Sequence, residues 1–246
     1  MRIRLISSFL LGIMVLAAGL KTPARAQMLK GDPAEEFGVR IGRVKYGGGG
    51  NWYNDPSSIP NLAAELQRRV GIPTNKDEKV VSLTDENLRA FPFIYITGNG
   101  TIRLTPEERD NLRAYLEDGG FLFINDSYGM DGAVRAMVKD VFPDHPLEEL
   151  SNDHPVFHCF YEIDHYPQVP GLGSFLQGRT WEKGGFVSHL RAIQDDRGRA
   201  MVLINWNTDM GDGMEWSNAT EYPGYAPHTA DAYRMMINEI IYSLTH

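Results

Sequence analysis

The sequence predicts a three-layer α/β domain built on a mostly parallel sheet, and three observations carry that expectation. Apolar runs of strand length alternate with amphipathic helical stretches from Val39 to Leu244. Two of these runs, Phe93-Ile94-Tyr95-Ile96 and Phe121-Leu122-Phe123-Ile124, are apolar throughout, as strands covered on both faces are. Clusters of Gly, Asn, Asp and Ser follow the strands at residues 47–55, 97–100, 125–131 and 205–212. An open α/β sheet gathers such loops on its carboxyl edge, where ligands bind.

The first 26 residues are expected to lie outside the fold. Arg2 and Arg4 precede an apolar run from Leu5 to Leu20, and Ala24-Arg25-Ala26 offers a small-x-small cleavage site before Gln27. The run is short of the about 20 apolar residues a spanning helix needs, so residues 1–26 read as a cleaved signal peptide. A periplasmic or extracellular location follows as an expectation. No Cys follows the cleavage site, which excludes lipid attachment there, and no later run is long and apolar enough for stable membrane insertion.

Residues 27–246 then form a single domain, long enough for one sizeable core. The leader carries four basic and no acidic residues, so its removal moves the formal charge from −8 to −12. Such an acidic chain is a poor partner for nucleic acid or anionic lipid. Cys159 is the single cysteine, so no intrachain disulfide can form, and it reads as a small buried hydrophobe.

In chain order, Gln27 to Phe37 is a polar lead-in. Val39 to Tyr46 alternates apolar and polar residues, as a strand exposed on one face does. Ser58-Ile59-Pro60 opens a helix, with Ser58 as the expected cap, and Leu62, Leu66 and Val70 stripe one side before Gly71. Val80 to Leu83 is a short strand, and Thr84 to Ala90 a helical turn before the strand at Phe93. Thr105-Pro106-Glu107-Glu108 is a capping box with proline in the first turn. Leu112, Tyr115 and Leu116 follow at helical spacing, and Gly119-Gly120 releases the helix into the strand Phe121 to Ile124. That strand is expected to end in Asn125-Asp126-Ser127. A short helix runs through Val134, Met137 and Val138, and a Pro- and His-rich stretch covers 142–173. Phe186 to Ile193 and Arg199 to Asn205 form a hairpin about Asp195-Asp196-Arg197-Gly198, and Tyr233 to Leu244 a final amphipathic helix.

Several ligand chemistries fail on spacing. The four glycines at 47–50 lack the Lys-Ser/Thr of a phosphate loop, and Gly98-Asn99-Gly100 has Arg103 where a dinucleotide fingerprint needs its third glycine. Asn205, Asn207 and Asp209 imitate the start of a calcium loop, but Met210 and Trp216 stand at its required Gly and Glu. His154 and His158 are four apart with Pro155 between them, and the simpler reading has both bonding to backbone. No metal and no cofactor is expected.

Strand, Gly98-Asn99-Gly100, helix, and then Phe121 to Met130 together resemble the core of class I glutamine amidotransferase-like domains. That resemblance implies a flavodoxin-like sheet, with Ser127 of Ser127-Tyr128-Gly129-Met130 at the position of the nucleophilic Cys and Gly98 to Gly100 at the oxyanion loop. The family's C-terminal His-Pro-x-Glu would fall at Tyr222-Pro223-Gly224, where His and Glu are absent, so the triad is missing and glutaminase chemistry is not expected. More closely, the chain resembles the bacterial family called domain of unknown function 4159, through Tyr46 to Trp52, Phe91 to Gly98, Gly119 to Ser127 and His154-Pro155-Val156-Phe157-His158. That family implies the fold and frequent export, and no established activity.

The functional expectation is an exported, non-catalytic module that binds a polar ligand, a glycan or an envelope protein at the strand ends. Its expected binding residues are Gly48, Gly49, Asn51, Trp52, Gly98, Asn99, Asn125, Asp126, Asn207 and Asp209. Aromatic faces such as Trp52, Tyr53, Trp206 and Trp216 beside amides and carboxylates suit sugars. The first alternative is a hydrolase acting on an ester, amide or glycosidic bond through Ser127 or Asp126. Ser127, Asp209 and His228 stand in the chain order of an α/β-hydrolase triad, although Asn125 replaces the first glycine of G-x-S-x-G. The second alternative is a structural part of an envelope assembly.

Overall fold

The computed structural model describes residues 38–218 and 220–246, so the expected leader and the lead-in lie outside the described residues. Seven strands form one sheet: β1 (Ile41–Val44), β2 (Lys79–Val81), β3 (Phe93–Asn99), β4 (Phe121–Tyr128), β5 (Glu148–Glu149), β6 (His189–Gln194) and β7 (Ala200–Trp206), in the spatial order β2-β1-β3-β4-β7-β6-β5. The pairings from β2 across to β7 are parallel, and β6 and β5 add an antiparallel edge. Among the described residues six α-helices accompany the sheet: α1 (Ser58–Val70), α2 (Pro106–Glu117), α3 (Asp131–Val141), α4 (Leu172–Leu176), α5 (Met210–Glu215) and α6 (Ala226–Thr245).

The sheet divides the core in two. Alternate residues of one strand point to opposite faces. Phe93, Tyr95, Phe121 and Phe123 therefore pack with α1, α5 and α6, while Ile94, Ile96, Leu122 and Ile124 pack with α2 and α3. The result is the expected three-layer α/β architecture with a mostly parallel sheet.

Local chemistry explains most boundaries. Thr105 accepts the Glu108 amide at 3.2 Å and Glu108 accepts the Thr105 amide at 2.8 Å, closing the capping box of α2. The first helix begins differently from expectation. Ser57, not Ser58, precedes it, and both its amide and its hydroxyl bind Glu215 at 2.6 Å, while the Ser58 hydroxyl donates to the Asp55 carbonyl.

Two strands also differ from expectation. β1 is buried along its whole length, including Arg43, because β2 and β3 flank it on both sides. The Arg43 guanidinium is kept in the interior by Glu78 (2.7 Å) and by the carbonyls of Asn54 (2.6 Å) and Asp55 (2.9 Å). β4 does not stop at Ile124 but continues through Asn125, Asp126, Ser127 and Tyr128. β3 runs beside it, with Thr97 opposite Asn125 and Gly98 opposite Asp126.

Cys159 is half-buried and donates to the Asn238 carbonyl of α6 at 3.1 Å, with burial pushing its thiol up to about 11. Among the described residues no helix is long and apolar enough to cross a membrane.

Candidate functional site

The polar residues at the carboxyl ends of β4 and β7 form a closed network. On the α1/α6 side, Asn125 donates to Thr97 (3.2 Å) and Asp209 (2.9 Å), and its carbonyl oxygen accepts from Asn205 (2.6 Å) and the Met210 amide (3.0 Å). Every polar atom of that side chain is thereby used, which is what a fully buried amide requires. The Ser127 hydroxyl donates to Asp209 at 2.9 Å and accepts from Asn54 at 3.2 Å. Asp55, held at φ 53°, accepts from Asn54 and Thr97 and lies against Gly211.

Crowding of carboxylates tunes this network. Burial, followed by the charges of Asp209 and Asp212, raises Asp55 well above the ordinary carboxylate value. Burial and then Asp209 push Asp212 up to about 7, and burial raises Glu182. These groups still have structural partners. The two oxygens of Asp212 accept from the Leu172 amide (2.7 Å) and the Trp216 indole (3.2 Å), and Glu182 accepts from the Gly171 amide. Among the described residues no group of three or more His, Cys, Asp and Glu side chains is disposed to hold a metal ion.

On the opposite face of β4, Asp126 accepts from the Met130 amide at 2.9 Å and from Lys183 Nζ at 2.5 Å. Asn207, at φ 60°, is a clamp on the same loop. Its carbonyl oxygen accepts the amides of Glu182 (3.0 Å) and Lys183 (2.7 Å), and its amide donates to the carbonyls of Gly185 (3.2 Å) and Val187 (3.0 Å). Lys183 was not visible as a site residue in the sequence. It lies 57 positions from Asp126, and its only local signal is the Gly184-Gly185 pair that lets the chain turn there.

The remaining expected residues are placed as follows. Gly47 to Asn51 and Asn99 to Arg103 are zipped together by Gly50 N to Thr101 O (2.9 Å), Arg103 N to Gly47 O (2.9 Å) and Asn99 N to Asn51 Oδ1 (2.6 Å), with Thr101 donating to the Gly48 carbonyl. A Cβ on Gly50 would stand 2.6 Å from the Thr101 carbonyl, and one on Gly98 2.7 Å from that of Asn51, so close backbone approach explains both glycines. Gly49 lies within the zipped loop, with Thr101 as its neighbour. Trp52 packs against the α2/α3 core with Lys45 over its ring, and Trp216 is tied to Asp212.

His154 caps a short turn through the Val156 amide, and His158 bonds the Asn152 carbonyl and Glu162. The His228 ring contacts Phe175 and Tyr225, and burial lowers its pKa. Ser127, Asn125, Asp209 and Asp55 are therefore brought together, Asp126 joins Lys183, and His228 contacts neither set through a hydrogen bond in the structure. Ser127 also sits within an extended strand. Outside glycine, positive φ among the described residues occurs at Asp55 and Asn207 alone, so the strained elbow that exposes a nucleophile is not formed at Ser127.

The open space lies sideways along the same sheet edge. His189 at the start of β6 pairs with Trp206 at the end of β7, and beside it opens a groove of about 660 Å³. Phe157, Tyr166 and Leu190 are its buried floor. Ser151, Asn152, His165, Gln168 and Ser188 supply polar groups, and Phe186 and Val187, from the loop that Asn207 clamps, form one wall.

The chain belongs to the family described as Domain of unknown function (DUF4159), which matches residues 40–244. That match spans every strand described above. No curated protein matches the chain.

Proposed function

We propose that this member of the DUF4159 family is an exported, non-catalytic binding module on an amidotransferase-like fold, and that it takes its ligand in the groove beside β6. The observation that carries the reading is a contrast along one sheet edge. Asn125, Asp126, Asn207 and Asp209 are buried and spend their hydrogen bonds on each other and on the Lys183 loop, while the groove of about 660 Å³ stands open with aromatic and polar walls. That volume falls in the range of about 300–1,000 Å³ usual for ligand sites. The strand-end residues thus build the site without lining it, which moves the ligand away from where the sequence pattern alone would put it.

A hydrolase is the second reading, and one observation favours it. Ser127 meets a carboxylate at 2.9 Å, and the neighbouring Asp212 is pushed up to about 7, where it could exchange protons. Against it, Ser127 has no imidazole to take its proton, and both Asp212 oxygens are engaged. A fluorophosphonate serine probe decides between the readings. The binding module predicts no labelling of the folded protein, whereas labelling that disappears in Ser127→Ala would make Ser127 an activated nucleophile and overturn it.

A further inference from the structure

We infer that the groove takes a neutral, hydroxyl-rich ligand, a pyranose unit of a glycan, with Phe186 as its stacking platform; this rests on the groove being the ligand site. Phe186 is 71 % exposed, yet its loop is built to hold it still. The Trp181 ring supports it edge-on at 4.6 Å and 77°. Asn207 pins the carbonyls on either side of it, at Gly185 and Val187, and Lys183 is tied to buried Asp126. A large apolar ring shown to water by an immobilised backbone is what a stacking partner needs, because the ordering cost is met before the ligand arrives.

The surroundings select the ligand class. A pyranose presents an apolar C–H face and a rim of hydroxyls, and the groove presents an aromatic wall with Ser151, Asn152, His165, Gln168 and Ser188 around it. Glu149, the carboxylate in the lining, is already met by His189 at 2.9 Å and Arg191 at 3.3 Å, so no unmatched charge asks for a cation. The formal charge, −8 for the whole sequence and −12 without the leader, opposes an anion. A peptide that extends the sheet is disfavoured too. The edge strand beside the groove is two residues long and both are Glu, which blunts strand addition.

The test is a titration of the ¹⁵N-labelled full chain with cellotriose, xylotriose, maltotriose and chitotriose, and separately with a panel of neutral tripeptides, followed by NMR. At least one trisaccharide should shift the amides of Phe186, Ser188 and Gln168. Phe186→Ala should weaken that binding at least tenfold, and Phe186→Trp should keep it. Phe186 is exposed, so neither substitution threatens the fold. Groove shifts with tripeptides and none with any saccharide would refute the sugar class and leave the binding site standing. No shift with either panel would refute both, and saccharide binding unchanged in Phe186→Ala would refute the platform.

Discussion

Lys183 Nζ lies 2.5 Å from Asp126 Oδ2, and the carboxylate is fully buried. This pair fastens the 181–187 loop to the end of the central strand. Removing one member of a buried pair leaves the other charge uncompensated, at about 3–5 kcal/mol, whereas removing both can come out near neutral. Lys183→Met should therefore lower the urea midpoint by an amount equivalent to roughly 3 kcal/mol. The double variant Asp126→Asn with Lys183→Met should recover most of it. Equal losses in single and double variants would show that the pair does not hold the fold.

Asn207 should control the same loop through hydrogen bonds and backbone together. Asn207→Ala loses the four bonds to residues 182–187 and leaves a Cβ residue at φ 60°, a conformation that costs about 1 kcal/mol. Asn207→Gly loses the bonds and keeps the conformation. Trypsin cleavage after Lys183 should accelerate on the order of tenfold in both, if opening of the loop costs about 1.4 kcal/mol less. No change in either variant would mean that the clamp is redundant.

The carboxylate cluster gives stability a pH dependence of definite sign. Asp212 is raised to about 7 in the fold, from an ordinary value of 3.8. The folded protein thus keeps a proton that the unfolded chain has released. That contribution is fully present below about pH 3.8 and is lost as pH rises through about 7. Comparing Asp212→Asn with the native chain isolates it. The stability of the native chain should fall relative to the variant between pH 4.5 and 7.5, by about 3 kcal/mol. Parallel pH profiles would place the proton elsewhere.

A second buried carboxyl lies deeper. Glu239 on α6 is fully buried and raised by burial, and among the described residues neither of its oxygens meets a partner in hydrogen-bond geometry. The hydroxyls of Tyr95 and Tyr166 are likewise unmatched, and Tyr166 approaches Glu239 without closing a bond. An unmatched buried polar group costs about 1–3 kcal/mol. Glu239→Met should therefore raise the thermal midpoint, and by more at pH 8 than at pH 5, because as pH rises the unfolded chain releases a proton that the fold must keep. A lowered midpoint at both pH values would show that Glu239 has partners in solution that offset its burial.

Much of this was legible in the sequence because it is local. The capping box at Thr105, the apolar runs at Phe93 and Phe121 and the helical spacing from Tyr233 to Leu244 each report on neighbours a few residues away, and each became the expected element. What escaped was long-range. Arg43 alternates like a solvent-facing residue, and what makes its burial tolerable is Glu78, 35 positions away, together with the backbone at Asn54 and Asp55. Asn125, Asp126 and Asn207 stood out because the polar clusters after several strands converge on one sheet edge, but the same residue types serve for binding a ligand and for holding a loop. The choice between those roles depends on Lys183 and on residues 182–187, which no spacing rule connects to β4.

The strand order has a consequence for the chain as it is made. β1 to β4 are complete by Tyr128, and they form one contiguous half of the sheet. The outer edge of β4, with the fully buried run Phe121 to Ile124, is covered by β7, which spans Ala200–Trp206. Until some seventy further residues have been synthesised, the nascent half-sheet carries a bare apolar edge, the kind of template on which chains pair with the wrong neighbour. A chain cut between Val141 and Ala200 should therefore precipitate where the whole one folds.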